Sequence, residues 1–169
     1  PEAVALFISR AAEYGWTPGV LGASERGGRI WVDVAGMSAV EIGDEAIINC
    51  EEFSLEGRAM SNVRQTINKA RREGMTAETK RVGGLTKEER VVIRDLARKW
   101  RGNSAERGFS MSMDRFGETI DADCLITITE LEGDIKGFLY FVPWGDNRVS
   151  LDRMMREKGT DPGVTELMI

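Results

Sequence analysis

The sequence predicts an α/β (α+β) domain, a mixed sheet flanked by helices, and three stretches predict it. Ser54–Gly74 places Met60, Val63, Ile67 and Ala70 at three- and four-residue spacing, the stripe of an amphipathic helix. Thr86-Lys87-Glu88-Glu89 reads as a capping box, a threonine N-cap with a glutamate three residues on, which opens a second helix. Cys124–Leu131 and Ile135–Val142 are apolar, β-branched runs parted by Glu132-Gly133-Asp134, the pattern of a hairpin.

From the N-terminus, Glu2–Tyr14 carries Val4, Leu6, Phe7, Ala11 and Ala12 at helical spacing, and Gly15 closes it. Gly19–Ala23 and Arg29–Val34 are expected as short strands joined by a turn at Glu25-Arg26-Gly27-Gly28. Met37–Glu41 and Glu45–Cys50 are expected as two more strands around Gly43-Asp44. In the Ser54–Gly74 helix, Arg58, Lys69 and Arg72 take the polar side, while Arg64, Asn68 and Arg71 run along one edge of the apolar stripe. Gly74 suits a left-handed C′ position, and Arg71 and Arg72 suit the negative end of the helix dipole.

Met75–Arg81 alternates like a half-buried strand. The capped helix then runs to about Arg101, with Val92, Ile93, Leu96, Ala97 and Trp100 inward. Glu106-Arg107-Gly108-Phe109-Ser110 is a polar loop; Pro143–Asn147 turns the chain into a strand at Val149–Asp152; Val164–Ile169 begins a last helix. Phe109, Trp100 and Trp144 are expected in the core rather than as stacking platforms. The late order of helix, helix, three strands and helix matches the core of an N-acetyltransferase-like fold.

Composition narrows the chemistry. The 169 residues are 41% hydrophobic and 30% charged, enough for one ordinary folded domain. No apolar stretch approaches the ~20 residues needed to cross a bilayer. The chain opens at Pro1 and stops in an apolar run, so it is expected to be a piece of a longer protein, truncated at its C-terminal side. The net charge of −5 conceals a basic region: Arg58 to Arg101 holds thirteen Lys/Arg against five Asp/Glu. Such polarity suggests a surface for a polyanion or an anionic membrane, unless the acidic remainder pairs with it. There is no histidine, which removes Ser-His-Asp and Cys-His nucleophiles and argues against zinc. Cys50 and Cys124, each in an apolar run, are expected as buried free thiols.

Several segments together carry a family resemblance. Gly43-Asp44-Glu45-Ala46 is followed by Phe53-Ser54-Leu55-Glu56-Gly57 and by Arg64, Asn68 and Arg72-Glu73-Gly74 at four-residue steps. Then come Trp100, Glu106-Arg107-Gly108-Phe109-Ser110, Phe141-x-Pro143 and Ser150-Leu151-Asp152. The series resembles the cytosolic catalytic domain of the phosphatidylglycerol lysyltransferases, the multiple peptide resistance factor family, over about Ala3 to Ile169. The resemblance implies two tandem acetyltransferase-like (GNAT-type) units, of which residues 1–169 hold the first and the start of the next helix. It also suggests a subdivision into an N-terminal portion, 1–53, and an acetyltransferase-like core, 54–169. It implies membrane helices upstream and, in actinobacterial members, a lysyl-tRNA synthetase downstream.

The implied activity is transfer of an aminoacyl group from tRNA to a glycerol hydroxyl of phosphatidylglycerol at the cytoplasmic face of the cell membrane. Such transfer alters membrane charge and gives resistance to cationic antimicrobial peptides. Lysyl-tRNA is the preferred donor and alanyl-tRNA the main alternative. One departure stands out: the family tends to Ser-Leu-Asp-Leu-Met-Arg where this chain has Ser150-Leu151-Asp152-Arg153-Met154-Met155-Arg156, so Arg153 and Arg156 compete for the arginine position.

The residues fit that chemistry on their own terms. An aminoacyl ester is already activated, so no cofactor is called for; transfer needs positioning, a proton acceptor and stabilisation of an oxyanion. Arg64 and Arg71, with Asn68 between them, are candidates for tRNA-end or lipid phosphate contacts, because a guanidinium donates two parallel hydrogen bonds. Arg107 and Arg156 are further candidate anion sites. Asp152 is the candidate to bind a cationic aminoacyl group or accept a proton, with Glu56 as a second carboxylate. The plainer alternatives are that Asp152 merely ends a strand and that Glu56 merely favours a helix N-terminus.

Two rival functions remain. A coenzyme-A-dependent N-acetyltransferase would cradle pyrophosphate on a turn of backbone amides, and its nearest match, Arg156-Glu157-Lys158-Gly159-Thr160-Asp161, ends in a repelling aspartate. A non-catalytic tRNA- or membrane-binding module would use the basic region alone, with affinity falling steeply in salt.

Overall fold

The computed structural model describes residues 1–44, 46–103, 115–161 and 163–169. The chain divides into two compact units, Pro1–Glu52 and Phe53–Ile169. Among the described residues no helix is long and apolar enough to cross a membrane.

The first unit is helical. Helix α1 spans Glu2–Glu13 and α2 spans Glu25–Ala35, and Phe7 meets Trp31 edge-on with ring centroids 5.8 Å apart. Helix α2 replaces the hairpin expected at 19–34. Ser24 is its N-cap, accepting from the Gly27 amide at 3.2 Å, and Gly36 closes it at φ 63°. Gly27 and Gly28 therefore lie in a first helical turn instead of a hairpin, and the half-buried positions Gly27, Trp31 and Ala35 recur at helical spacing.

The strands expected at Met37–Glu41 and Glu45–Cys50 are also absent from 37–44 and 46–50 (Glu45 lies outside the described residues). A strand needs a hydrogen-bonded neighbour, and among the described residues the four sheet strands all belong to the second unit. Val40, Ile42 and Ile47 stay exposed in consequence, and so does Cys50, against the expectation of two buried thiols.

The second unit is a sheet with helices on both faces. Its elements are α3 Ser61–Arg72, β1 Met75–Arg81, α4 Lys87–Arg101, β2 Leu125–Leu131, β3 Asp134–Trp144, β4 Arg148–Arg156 and α5 Gly163–Met168, with single 3₁₀ turns at Val82–Gly84 and Thr119–Asp121. The strands lie in order β1-β2-β3-β4 and each adjacent pair is antiparallel. The β2–β3 hairpin turns through Glu132 (φ 54°) and Gly133 (φ 85°), two positive-φ residues, as the primed turns of tight hairpins require.

Alternation along β3 divides the interior. Phe138 and Tyr140 pack with Ile93, Ala97 and Trp100 of α4, whereas Leu139 joins Ala70 of α3 and Val164 and Met168 of α5. Helix α4 begins with the expected capping box: Thr86 Oγ1 accepts from the Glu89 amide at 3.1 Å, and Glu89 Oε2 accepts from the Thr86 amide at 2.7 Å. Helices α3 and α5 cross closely. A Cβ on Gly163 would lie 2.8 Å from Ala70 Cβ and 3.2 Å from the Thr66 carbonyl oxygen. Of the aromatic residues expected inside, Trp100 is buried, Trp144 is exposed, and Phe109 lies outside the described residues.

Candidate active site

The β3–β4 pairing breaks its register at one point. Phe141 pairs with Leu151 and Tyr140 with Arg153, which leaves Asp152 as the extra residue of a β-bulge. A bulge bends its strand and re-aims side chains. Here two consecutive residues of β4, Asp152 and Arg153, are both buried, at 0% and 5% exposure, and Arg153 Nε lies 3.4 Å from Asp152 Oδ2. A charge taken this far from water has to be compensated by a charged or polar partner.

That pair belongs to a larger polar group on the α4 face. Arg153 donates to the Arg115 carbonyl at 3.4 Å, and Arg115 Nε donates to the buried Asp121 at 2.8 Å. Asp121 also accepts from the Glu118 amide at 3.1 Å. The hydrogen bond and charge of Asp121 raise the Arg115 pKa, so Arg115 is cationic at any working pH. Burial pushes the Tyr140 hydroxyl far above its ordinary 10.0, with its hydrogen bond to the Cys124 thiol adding to the rise. Burial likewise raises Cys124. The thiol is thus protonated and not a nucleophile.

Arg153 emerges into a cavity of about 170 Å³ between α4 and the sheet, whose described lining includes Arg94, Arg98, Arg101, Arg115 and Glu118. Arg94, Arg98 and Arg101 recur at four- and three-residue steps along α4, so they share one helix face. This is the arrangement that sequence reasoning missed; the same periodicity that was read for apolar residues would have found it.

The other sequence-predicted residues are distributed elsewhere. Arg64 donates through Nη1 to the carbonyls of Leu55 and Gly57, the latter at 2.7 Å, and so grips the backbone on both sides of Glu56. Glu56 itself is exposed, its amide donating to Ser54 Oγ at 3.1 Å. Because α3 starts only at Ser61, Glu56 lies outside that helix's first turn. Asn68 and Arg71 share an open, shallow depression on α3 with Lys69 and Arg72. Lys69 pairs with Asp161 and with Glu73 at 3.6 Å, and the hydrogen bond it donates to Asp161 raises its pKa. Arg156 is exposed at the end of β4, whereas Arg153 is buried beside Asp152, so the two rivals for one arginine position occupy opposite environments. Arg107 lies outside the described residues.

The segment compared above with a pyrophosphate cradle is already occupied by its own contacts. Asp161 accepts from the Gly163 amide at 3.0 Å and pairs with Lys69, and Thr160 donates to the Glu157 carbonyl at 2.7 Å. An acidic side chain therefore sits where a phosphate would need a bare amide.

Comparison with known proteins agrees with this architecture. The chain is 43% identical over 171 residues to the lysylphosphatidylglycerol biosynthesis bifunctional protein LysX of Rhodococcus opacus, and 41% identical over 170 residues to that of Mycobacterium avium. All of this chain is covered, but only 15% and 14% of those relatives, so it spans a small part of proteins that carry other domains. Two solved structures share the fold. L-PGS from Bacillus licheniformis matches with a TM-score of 0.76 at 23% identity, over 97% of this chain and 50% of that one. The C-terminal domain of a lysylphosphatidylglycerol synthetase from Agrobacterium fabrum matches with a TM-score of 0.78 at 18% identity, over 99% and 53%. The acetyltransferase-like fold expected from the element order is the fold observed, although its described strands form an antiparallel sheet where a mixed one was expected. The family described as phosphatidylglycerol lysyltransferase, C-terminal, matches residues 1–169, and the chain belongs to it.

Proposed function

We propose that this chain is part of an enzyme that transfers a lysyl group from lysyl-tRNA to phosphatidylglycerol. The observation that carries the reading is the buried Asp152–Arg153 pair on a strand bulge, opening into an arginine-lined cavity, in a chain matched along its whole length by the family.

In the reaction a glycerol hydroxyl oxygen of the lipid bonds to the lysyl carbonyl carbon, and the carbon–oxygen bond to the tRNA ribose breaks. The hydroxyl proton leaves the nucleophile and ends on the departing ribose oxygen. The tetrahedral intermediate carries an oxyanion, which a fixed guanidinium stabilises strongly in a dry site. Arg153 is suited to that task, because Asp152 and the Arg115 carbonyl fix its orientation. Asp152, fully buried, then acts through Arg153, whose guanidinium it holds in place. Glu56 is the second carboxylate, held in place by the grip of Arg64 on its loop. The exposed Asn68, Arg71 and Arg72 on α3 suit the phosphates of the tRNA end, and Arg107 and Arg156 are further anion contacts.

The membrane partner places the chain at the cytoplasmic face of an anionic membrane. The relatives are named bifunctional and are far longer than this chain, which supports further domains in the same protein; a membrane domain upstream and a lysyl-tRNA synthetase downstream are the ones this reading calls for. The outcome for the cell is a more positive membrane surface and resistance to cationic peptides.

The test is transfer itself. Full-length protein is mixed with radiolabelled lysyl-tRNA and phosphatidylglycerol vesicles, and label is followed into the organic phase. Lipid labelling that Asp152→Asn reduces at least 100-fold is the expected result. Labelling from alanyl-tRNA alone would change the cargo to alanine. No labelling from either donor, with salt-sensitive tRNA binding intact, would reduce the chain to a binding module.

A further inference from the structure

We propose that the cavity between α4 and the bulge of β4 binds the phosphodiester of the lipid acceptor, gripped by Arg94, Arg98 and Arg115 from its walls, with Arg153 at its base left for the oxyanion. The inference rests on the transfer reading and assigns the lipid subsite within it.

Charge is the first argument. Five arginines line the cavity and Glu118 is the sole lining carboxylate among the described residues. Asp95, Asp121 and Asp152 hold individual arginines from the side, at 3.6, 2.8 and 3.4 Å, without lining the space themselves. With Glu118 these make four carboxylates against five guanidiniums among the described residues, so the cluster keeps a small positive excess that an anion in the cavity neutralises.

The type of cation is the second argument. All five are arginine, whose planar fork matches the paired oxygens of a phosphate, whereas lysine supplies only a point charge. Two of them are placed in advance: Arg94 is tethered to the Phe116 carbonyl at 3.2 Å and Arg115 to Asp121 at 2.8 Å. Held side chains lose little freedom when a ligand arrives.

Size and lining choose the lipid over RNA. A volume of about 170 Å³ is well under the ~300 Å³ at which pockets for larger organic ligands begin, so it suits one headgroup phosphate and not a nucleotide. Ile93, Ala97, Phe116 and Phe138 give the cavity an apolar floor. A run of RNA phosphates needs an extended exposed surface, which α3 provides and this cavity does not.

The experiment measures binding, apart from turnover. Full-length protein is titrated with dihexanoyl phosphatidylglycerol below its micelle concentration and, separately, with a CCA trinucleotide. Arg98 is 64% exposed, so Arg98→Gln should leave the thermal melt unchanged. It is expected to weaken lipid binding at least tenfold and trinucleotide binding not at all. Arg94→Lys, which keeps the charge and loses the fork, should weaken the lipid by a smaller factor. Unchanged lipid affinity in both variants, loss of the trinucleotide instead, or no lipid binding by the unmodified protein would each overturn the assignment. Arginine-dependent lipid binding without lysyl transfer would leave the cavity assigned and sink the transferase reading.

Discussion

Helices α3 and α4 pack on opposite faces of one sheet, and both are rich in arginine, but they present their charge in different ways. On α3, Arg64 is committed to loop carbonyls and Lys69 to Asp161 and Glu73, leaving Arg71, Arg72 and Asn68 on an open surface. On α4, Arg90 donates to the Gly117 and Val82 carbonyls at 3.1 Å each, while Arg94, Arg98 and Arg101 turn toward a small cavity. An exposed row of cations is suited to a repeating polyanion whose affinity depends on salt, whereas a cluster around a small, partly enclosed cavity selects one anion of fixed shape. Charge counting along the sequence cannot separate the two, because a tethered arginine and an open one have the same letter.

The largest expected effect falls on the cavity side. Asp152→Ala removes the adjacent carboxylate from a buried arginine, and loss of one member of a buried pair costs about 3–5 kcal/mol. Urea unfolding should register that loss, and tRNA binding by whatever folded protein remains should be unaffected. Next comes the α3 side. Gly163→Ala drives a methyl against Ala70 and the Thr66 carbonyl, an overpacking worth about 1–3 kcal/mol. It should disturb α3 and leave lipid binding in the cavity intact; equal damage to both would break the comparison.

A sharper probe is Arg71→Gln with Arg72→Gln, compared across salt concentrations. If each contacts one phosphate, the slope of log affinity for tRNA against log salt should become shallower by ~1.4 to 1.8. An unchanged slope would remove α3 from the tRNA surface.

The smallest effect concerns the start of α4. Thr86→Ala should cost about 1 kcal/mol of stability, read as a lowered Tm. Its partner gives the pH dependence. The hydrogen bond from the Thr86 amide holds the Glu89 carboxyl below its ordinary 4.5. Since the folded value is the lower one, this contribution is present above about pH 4.5 and is lost as pH falls through the folded pKa. Glu89→Gln should flatten that acid-side decline, although exposure of the side chain keeps the effect small.

Local signals were legible and long-range ones were not. The Thr86–Glu89 box and the Glu132-Gly133 turn depend on residues within a few positions of one another, and both stand as read. Helix α2 was misread because Gly27-Gly28 is turn chemistry in a hairpin and tolerable in a helix's first turn, and Ser24 decided between them. Asp152 was singled out at a strand end, but its place on a bulge depends on how Phe141 and Tyr140 pair with β4, which neither strand's sequence states. The strand itself continues past Asp152 to Arg156. Arg64 looked like a phosphate ligand because helical spacing set it beside Asn68 and Arg71; the carbonyls of Leu55 and Gly57 claim it instead.

The most direct test of the two-surface account is steady-state lysyl transfer with each substrate varied in turn. Arg98→Gln should raise the apparent KM for phosphatidylglycerol about tenfold and leave that for lysyl-tRNA unchanged, while Arg71→Gln with Arg72→Gln should do the reverse. If both variants raise both KM values equally, the division between an open RNA surface and a partly enclosed lipid site is wrong.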